Sequence, residues 1–161
     1  MSYDLTNCFS RAAAFNYVTI AQILLENGAC KEAKNMMDLT PFLVSVLHGG
    51  IETAAMLLDQ GANIMATDST GNSCLHLAVQ HSQKEMVRML LTHRDKGKFM
   101  ELRNNELKTV MHLAATRDTT EVNKGSPLLV VGEVTGVRMA DCLSARLKTK
   151  ETPKESFSAA A

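Results

Sequence analysis

The sequence predicts an all-α fold: a solenoid of stacked helix-turn-helix units with β-turn or hairpin tips and an irregular C-terminal tail. Three observations predict it. The first is a period of 33 residues. Gly28-Ala29 recurs as Gly61-Ala62, Leu24-Leu25 as Leu57-Leu58 and as Leu90-Leu91, and Ala33 as Ala66. A period of this length marks one supersecondary unit repeated, each burying its apolar face on its neighbours. The second is helix punctuation in register. Asn7, Thr40, Ser73 and Thr109 are all residue types that accept a bond from an orphan helix N–H. The third is composition. Aromatic residues make up 4% of the 161, Trp is absent and Met reaches 10. A core without large rings is filled by aliphatic residues and Met, which suits helices packed through small residues better than a β-sandwich.

Each unit follows from the same signals. The array is read as residues 5–122, in units of about 5–37, 38–70, 71–106 and an incomplete 107–122. The first unit opens its first helix at Asn7-Cys8-Phe9-Ser10. The second opens at Thr40-Pro41-Phe42-Leu43, where Pro41 takes the first helical position and its missing N–H costs nothing. The third opens at Ser73-Cys74-Leu75-His76 and the fourth at Thr109-Val110-Met111-His112. A small residue recurs on each first helix, at Ala12, Ser45, Ala78 and Ala114, and lets it approach its neighbours. Second helices end in the paired leucines. Gly28 and Gly61 fall just past two of those ends, where a left-handed residue is needed. Polar turns follow, as in Asp68-Ser69-Thr70-Gly71. The third unit departs from the pattern, with Arg94 in place of the glycine and an inserted loop at Lys96-Gly97-Lys98-Phe99. The fourth stops in mid-unit, because Gly125-Ser126-Pro127 would break its second helix.

These motifs resemble the ankyrin repeat, a β-turn followed by two antiparallel helices. SCLHLAV and TVMHLAA are similar to the family's TPLHLAA, and LLDQGANIMATD to its helix-end and hairpin segment. The resemblance covers Leu5 to Val122 and implies a non-enzymatic protein-binding module. It implies that His76 and His112 bond within and between repeats. It also implies that a partner meets the hairpin tips and the exposed side of each first helix. Those positions are Met36, Met37, Leu39, Leu47 and His48 in the second unit. The third contributes Ser69, Thr70, Asn72, Gln80 and His81, and the fourth Asn105, Glu106, Lys108, Thr116 and Arg117. The second set is unusually apolar for exposed tips, and its Met pair could form an adaptable patch. The competing expectation is that this patch packs on Tyr3 and Phe15 of the first unit.

Residues 123–161 do not obey the period. Leu128–Val131 and Val134–Val137 read as short β-prone runs, Arg138–Lys148 as a helix, and the rest as polar tail. This segment is either a divergent cap over the end of the array or an unrelated tail, as alternative splicing would append. The mid-unit stop favours the second, which would make the chain a truncated fragment of a larger protein with little function of its own.

Other classes of function find little support. Lys plus Arg is 17 and Asp plus Glu is 17, so no basic excess points to nucleic acid. Through Val122 there are 11 basic and 13 acidic residues, so recognition is expected to rest on shape and apolar contact. The basic residues Arg138, Arg146, Lys148, Lys150 and Lys154 read as a solvated tail diluted by Asp141, Glu151 and Glu155. No leader-like segment and no apolar run long enough for a membrane span are seen. Cys8, Cys30, Cys74 and Cys142 form no CxxC pair, which fits reduced thiols in the cytoplasm or nucleus. Cys74 with His76 supplies two metal ligands, and two are not a site. No nucleophile elbow, phosphate loop or dinucleotide fingerprint appears, so neither catalysis nor a cofactor is expected. The chain is expected to be a monomer.

Overall fold

A computed structural model describes residues 2–92 and 101–118. The readings for Arg94, the loop at Lys96–Phe99 and residues 123–161 lie outside the described residues. Seven helices occur among those described: α1 (Ser2–Ala14), α2 (Val18–Glu26), α3 (Pro41–His48), α4 (Ile51–Asp59), α5 (Cys74–Gln80), α6 (Lys84–Thr92) and α7 (Val110–Asp118). They form two rows. The first helices of successive units pack as α1 on α3 on α5 on α7, and the second helices as α2 on α4 on α6. No strand occurs among the described residues, only an isolated antiparallel bridge between Thr67 and Ser73. The fold is all-α.

The small residue of each first helix sits where the rows meet. Ala12, Ser45, Ala78 and Ala114 are all buried, and the Ser45 hydroxyl is satisfied by the Phe42 carbonyl at 2.7 Å. Around them pack Phe9, Phe42, Leu43, Val46, Leu57, Leu75, Val87 and Leu90, one continuous core.

Helix ends follow the residues that mark them. Thr40 Oγ1 accepts the Leu43 N–H at 3.3 Å, and Pro41 begins α3. Asn7 corrects the sequence reading. It is exposed in the middle of α1, not at its start. In later units Asp38, Gly71 and Leu107, two residues before the start motif, hold positive φ and interrupt the backbone. Leu5 stands at the matching place within a continuous helix, so α1 runs on past the motif. At the other end, Gly28 (φ 85°) and Gly61 (φ 73°) are left-handed as expected. Ala29 N–H reaches Leu24 O and Gly28 N–H reaches Leu25 O, at 2.9 and 3.0 Å. The same pair of bonds closes α4 at Gly61 and Ala62. This is the double bond of a helix end with a left-handed residue after the cap.

The turn within each unit uses the same device without a constant residue. Asn16, Gly49 and Ser82, each 33 apart, all hold positive φ. Asn16 also acts on the next unit. Its Oδ1 accepts the Thr53 N–H at 3.1 Å and the Thr53 hydroxyl at 3.0 Å. Its Nδ2 donates to the Glu52 carboxylate, which holds that pKa below the usual value. Gly50, at the start of α4, has no side chain with which to cap it. The cap is therefore supplied by the preceding unit.

Asn16→Gly keeps the left-handed turn accessible and removes the cap on Thr53 together with the bond to Glu52. It is expected to cost about 1 kcal/mol in urea unfolding. An unchanged midpoint would show that these bonds contribute nothing.

Candidate protein-binding face

The tips are built by one acceptor used three times. Asn35 Oδ1 accepts the amides of Met37 and Leu39 at 2.9 and 3.0 Å. Asp68 Oδ1 takes those of Thr70 and Asn72 at 2.9 and 2.8 Å. Asn104 Oδ1 takes those of Glu106 and Lys108 at 3.1 and 3.0 Å. Short polar side chains bond their own backbone readily in this way. Each loop closes by a backbone bond, such as Asp68 N–H to Asn72 O at 3.1 Å. The two residues after the acceptor, 36–37, 69–70 and 105–106, form the tips.

Adjacent tips are stitched together. Ser69 N–H donates to Met37 O at 3.2 Å, and Asn105 N–H to Thr70 O at 3.0 Å. Beneath them, Asn104 Nδ2 donates to Asn72 Oδ1 at 3.0 Å, and Asn72 Nδ2 to Thr70 Oγ1 at 2.6 Å. His76 ties the root of the last tip to α5. Its Nε2–H donates to Lys108 O at 3.1 Å, which leaves Nδ1 as acceptor. Nδ1 then receives the Ser73 hydroxyl at 2.7 Å and the Ser73 N–H at 3.4 Å. His112 Nδ1 takes the same two groups from Thr109. Leu43 stands at this position in the second unit, where Thr40 Oγ1 accepts the Leu43 amide.

The sequence of these units also matches known proteins. Residues 42–91 match the family model described as ankyrin repeats (many copies). These units are ankyrin repeats. The chain is 33% identical over 111 residues to a transient receptor potential cation channel subfamily A member 1 homolog of Caenorhabditis elegans, covering 69% of this chain and 9% of that protein. It is 32% identical over 120 residues to alpha-latrotoxin-Lg1a of Latrodectus geometricus, covering 71% of this chain and 9% of the toxin. It is 28% identical over 129 residues to the putative E3 ubiquitin-protein ligase XBAT31 of Arabidopsis thaliana, covering 74% and 28%. The matched region is thus a small part of each relative. Ankyrin repeats generally serve protein–protein interaction and are typically not enzymatic.

On the ankyrin array, most expected contact residues lie at the surface. Met36, Met37, His48, Ser69, Thr70, Gln80, His81, Asn105 and Glu106 are exposed, and Leu47 and Lys108 are half-buried. Two are not available. Leu39 is 4% exposed and belongs to the core, and Asn72 is 7% exposed and bonded to the neighbouring loop. Both stand at the loop root, where the chain turns back into the helix row. The side chains of Thr116 and Arg117 lie outside the described residues. The structure adds Leu107, 70% exposed beside the last tip, and Phe15, 60% exposed in line with His48 and His81. Leu107 was legible as a bulky residue at the register position of Asp38 and Gly71.

The residues that suggested chemistry are engaged in the scaffold. Cys74 Sγ contacts Ile64 O at 3.5 Å, and burial pushes its thiol pKa up to about 12. Among the described residues no three His, Cys, Asp or Glu side chains come together as a metal site would need. No helix among them is long and apolar enough to cross a membrane.

Two outcomes test this frame. Burial lowers the His76 pKa, against the pull of the Lys108 carbonyl and the Asp68 charge. A depressed imidazole contributes stability that is complete above its unfolded value of about 6.5 and lost as pH falls through the folded value. Unfolding between about pH 7.5 and about pH 5 should therefore show a steeper loss for the parent chain than for His76→Gln. Equal slopes would remove His76 as the acid-sensitive link. Separately, Leu107 holds φ 59° without the freedom of glycine. Leu107→Gly should raise stability by about 1 kcal/mol, read from the urea midpoint.

Proposed function

We propose that this chain recognises a partner protein through its concave face and hairpin tips, in a regulatory or adaptor role and without catalysis. The observation that carries the reading is the second-unit tip. Met36 is fully exposed and Met37 is 56% exposed, on a loop fixed by Asn35 and stitched to the next tip. Adjacent solvent-facing methionines gain nothing for the fold, and their flexible apolar side chains adapt to a partner's surface. The fixed backbone beneath them limits the ordering entropy that binding must overcome.

The neighbouring tips supply selectivity. Ser69, Thr70, Asn105 and Glu106 alternate small hydroxyls, an amide and a carboxylate along the same edge. A matching partner would present an apolar centre flanked by hydrogen-bonding groups. The relatives support a binding role in one respect. A cation channel, a toxin and a ubiquitin ligase differ in activity by name, yet share this region with the chain. What is common to them is the repeat array.

A pull-down from cell extract with the full chain tests the reading. Met36→Ser with Met37→Ser should reduce recovery of the captured partner at least about tenfold, on the order of 1.4 kcal/mol. The helical melt should be unchanged, since neither side chain is buried. An unaltered partner set on a folded variant would remove this tip from the binding surface.

A further inference from the structure

Among the described residues burial divides the methionines sharply. Met86 lies in the core, and Met56, Met89 and Met111 are half-buried against it. Met65 is 36% exposed on the loop after α4. Met36 and Met37 are more open than any of these and stand side by side at one tip. The backbone beneath them is held by Asn35 Oδ1 at the Met37 N–H and by Met37 O, which accepts the Ser69 N–H. None of these bonds uses a thioether. The tips alongside carry Ser69, Thr70, Asn105 and Glu106. Apart from Leu107 beside the last tip, the apolar contact that this edge offers is carried by two sulfur-bearing side chains. Leucine would supply similar apolar area, and the same unit uses it just below the tip, at Leu39 and Leu43. What methionine adds, besides flexibility, is a sulfur that a peroxide can oxidise and a reductase restore.

We propose that Met36 and Met37 form a peroxide-sensitive switch on the partner-binding tip. The inference rests on the partner reading above and gives that same surface its regulation. The thioether sulfur attacks one oxygen of hydrogen peroxide, the O–O bond breaks and an S–O bond forms. The sulfur is oxidised by two electrons, and the other peroxide oxygen leaves as water with both protons. The product is a polar, chiral sulfoxide where an apolar thioether stood. On a solvent-facing side chain this costs the fold little. Against a partner's apolar surface it buries an acceptor without a donor, which is unfavourable. The oxidised chain therefore stays folded and loses its partner. The same change at Met86 would put a sulfoxide in the core, and burial shields that sulfur. The step is reversible. A dithiol reductase, one for each sulfoxide epimer, removes the oxygen as water while its two thiols become a disulfide.

Exposed Cys8 and Cys30 also meet a peroxide, so the test uses the full chain carrying Cys8→Ser, Cys30→Ser and Cys142→Ser. Of the four thiols only buried Cys74 then remains. Hydrogen peroxide is added in steps and the peptides are mapped by mass. Met36 and Met37 should each gain one oxygen before Met56, Met86 and Met89 do, with the helical melt unchanged at that stage. Recovery of the captured partner should fall at least about tenfold and return after treatment with the two reductases. Met36→Leu with Met37→Leu should hold its partner both before and after peroxide. Earlier oxidation of the core methionines would overturn the switch. So would undiminished capture by a folded chain oxidised at both tip residues, or a leucine variant that loses its partner to peroxide as the parent does. If Met36→Ser with Met37→Ser keeps the full partner set, the binding reading fails and takes the switch with it. If that variant loses the partner while oxidation leaves capture intact, the switch alone fails.

Discussion

Helices of seven to nine residues cannot hold themselves in water, and every described helix except α1 is of that length. Isolated helices shorter than about 12–15 residues are marginal even with good helix formers. The structure therefore depends on contact between units. That contact is partly apolar, through the small residues Ala12, Ser45, Ala78 and Ala114. It is partly a set of polar bonds sent forward from one unit to the next. Asn16 caps α4, Glu32 Oε1 accepts the Asn63 N–H at 2.8 Å, Lys31 Nζ donates to Gln60 O at 2.6 Å, and His76 holds Lys108. Each bond completes a backbone group that its own short element leaves open.

This dependence explains why the tips can serve as a surface. A loop held only by its own turn would lose entropy on binding. Here the tips are fixed twice, by their own Asx acceptor and by the backbone of the next tip. The exposed side chains of Met36 and Met37 take no part in this bonding, whereas Thr70 and Asn105 add side-chain bonds to it, so the tips can differ from unit to unit. The second unit goes furthest. It replaces the histidine with Leu43 and the bridging asparagine with Leu39, both buried. Its root is held by apolar packing, and its tip carries two methionines where its neighbours carry polar groups.

How much of this was legible follows from how local each signal is. Pro41 after Thr40, and Gly28 and Gly61 after paired leucines, mark helix ends through their own backbone preferences, and they lie where the sequence placed them. Asn7 carries the same residue type as the other caps, but a cap works only where the chain before it is broken, and Leu5 does not break it. The left-handed turn residues Asn16, Asp38, Ser82 and Leu107 escaped notice because only glycine announces positive φ from composition. Their 33-residue register was the available signal. Leu39 and Asn72 were taken as tip residues because a loop's root and apex are adjacent in sequence and differ only in burial. The cap that Asn16 supplies is a long-range bond with no local trace except the bare Gly50 opposite it.

The two ends of the described array are not equivalent, and the difference is physical. In a solenoid each unit is stabilised from both sides, so a unit covered on one side is the first to open. α2 shows this in its burial. Leu24 and Leu25 are half-buried, whereas Leu57 and Leu90 at the matching place of Leu24 are fully buried. Among the described residues no side-chain cap holds the start of α2, while α4 receives one from Asn16. The extra length of α1 compensates, since its 13 residues reach the range where a helix begins to hold alone. Asn16 follows directly after α1, so what steadies α1 also steadies the cap on α4.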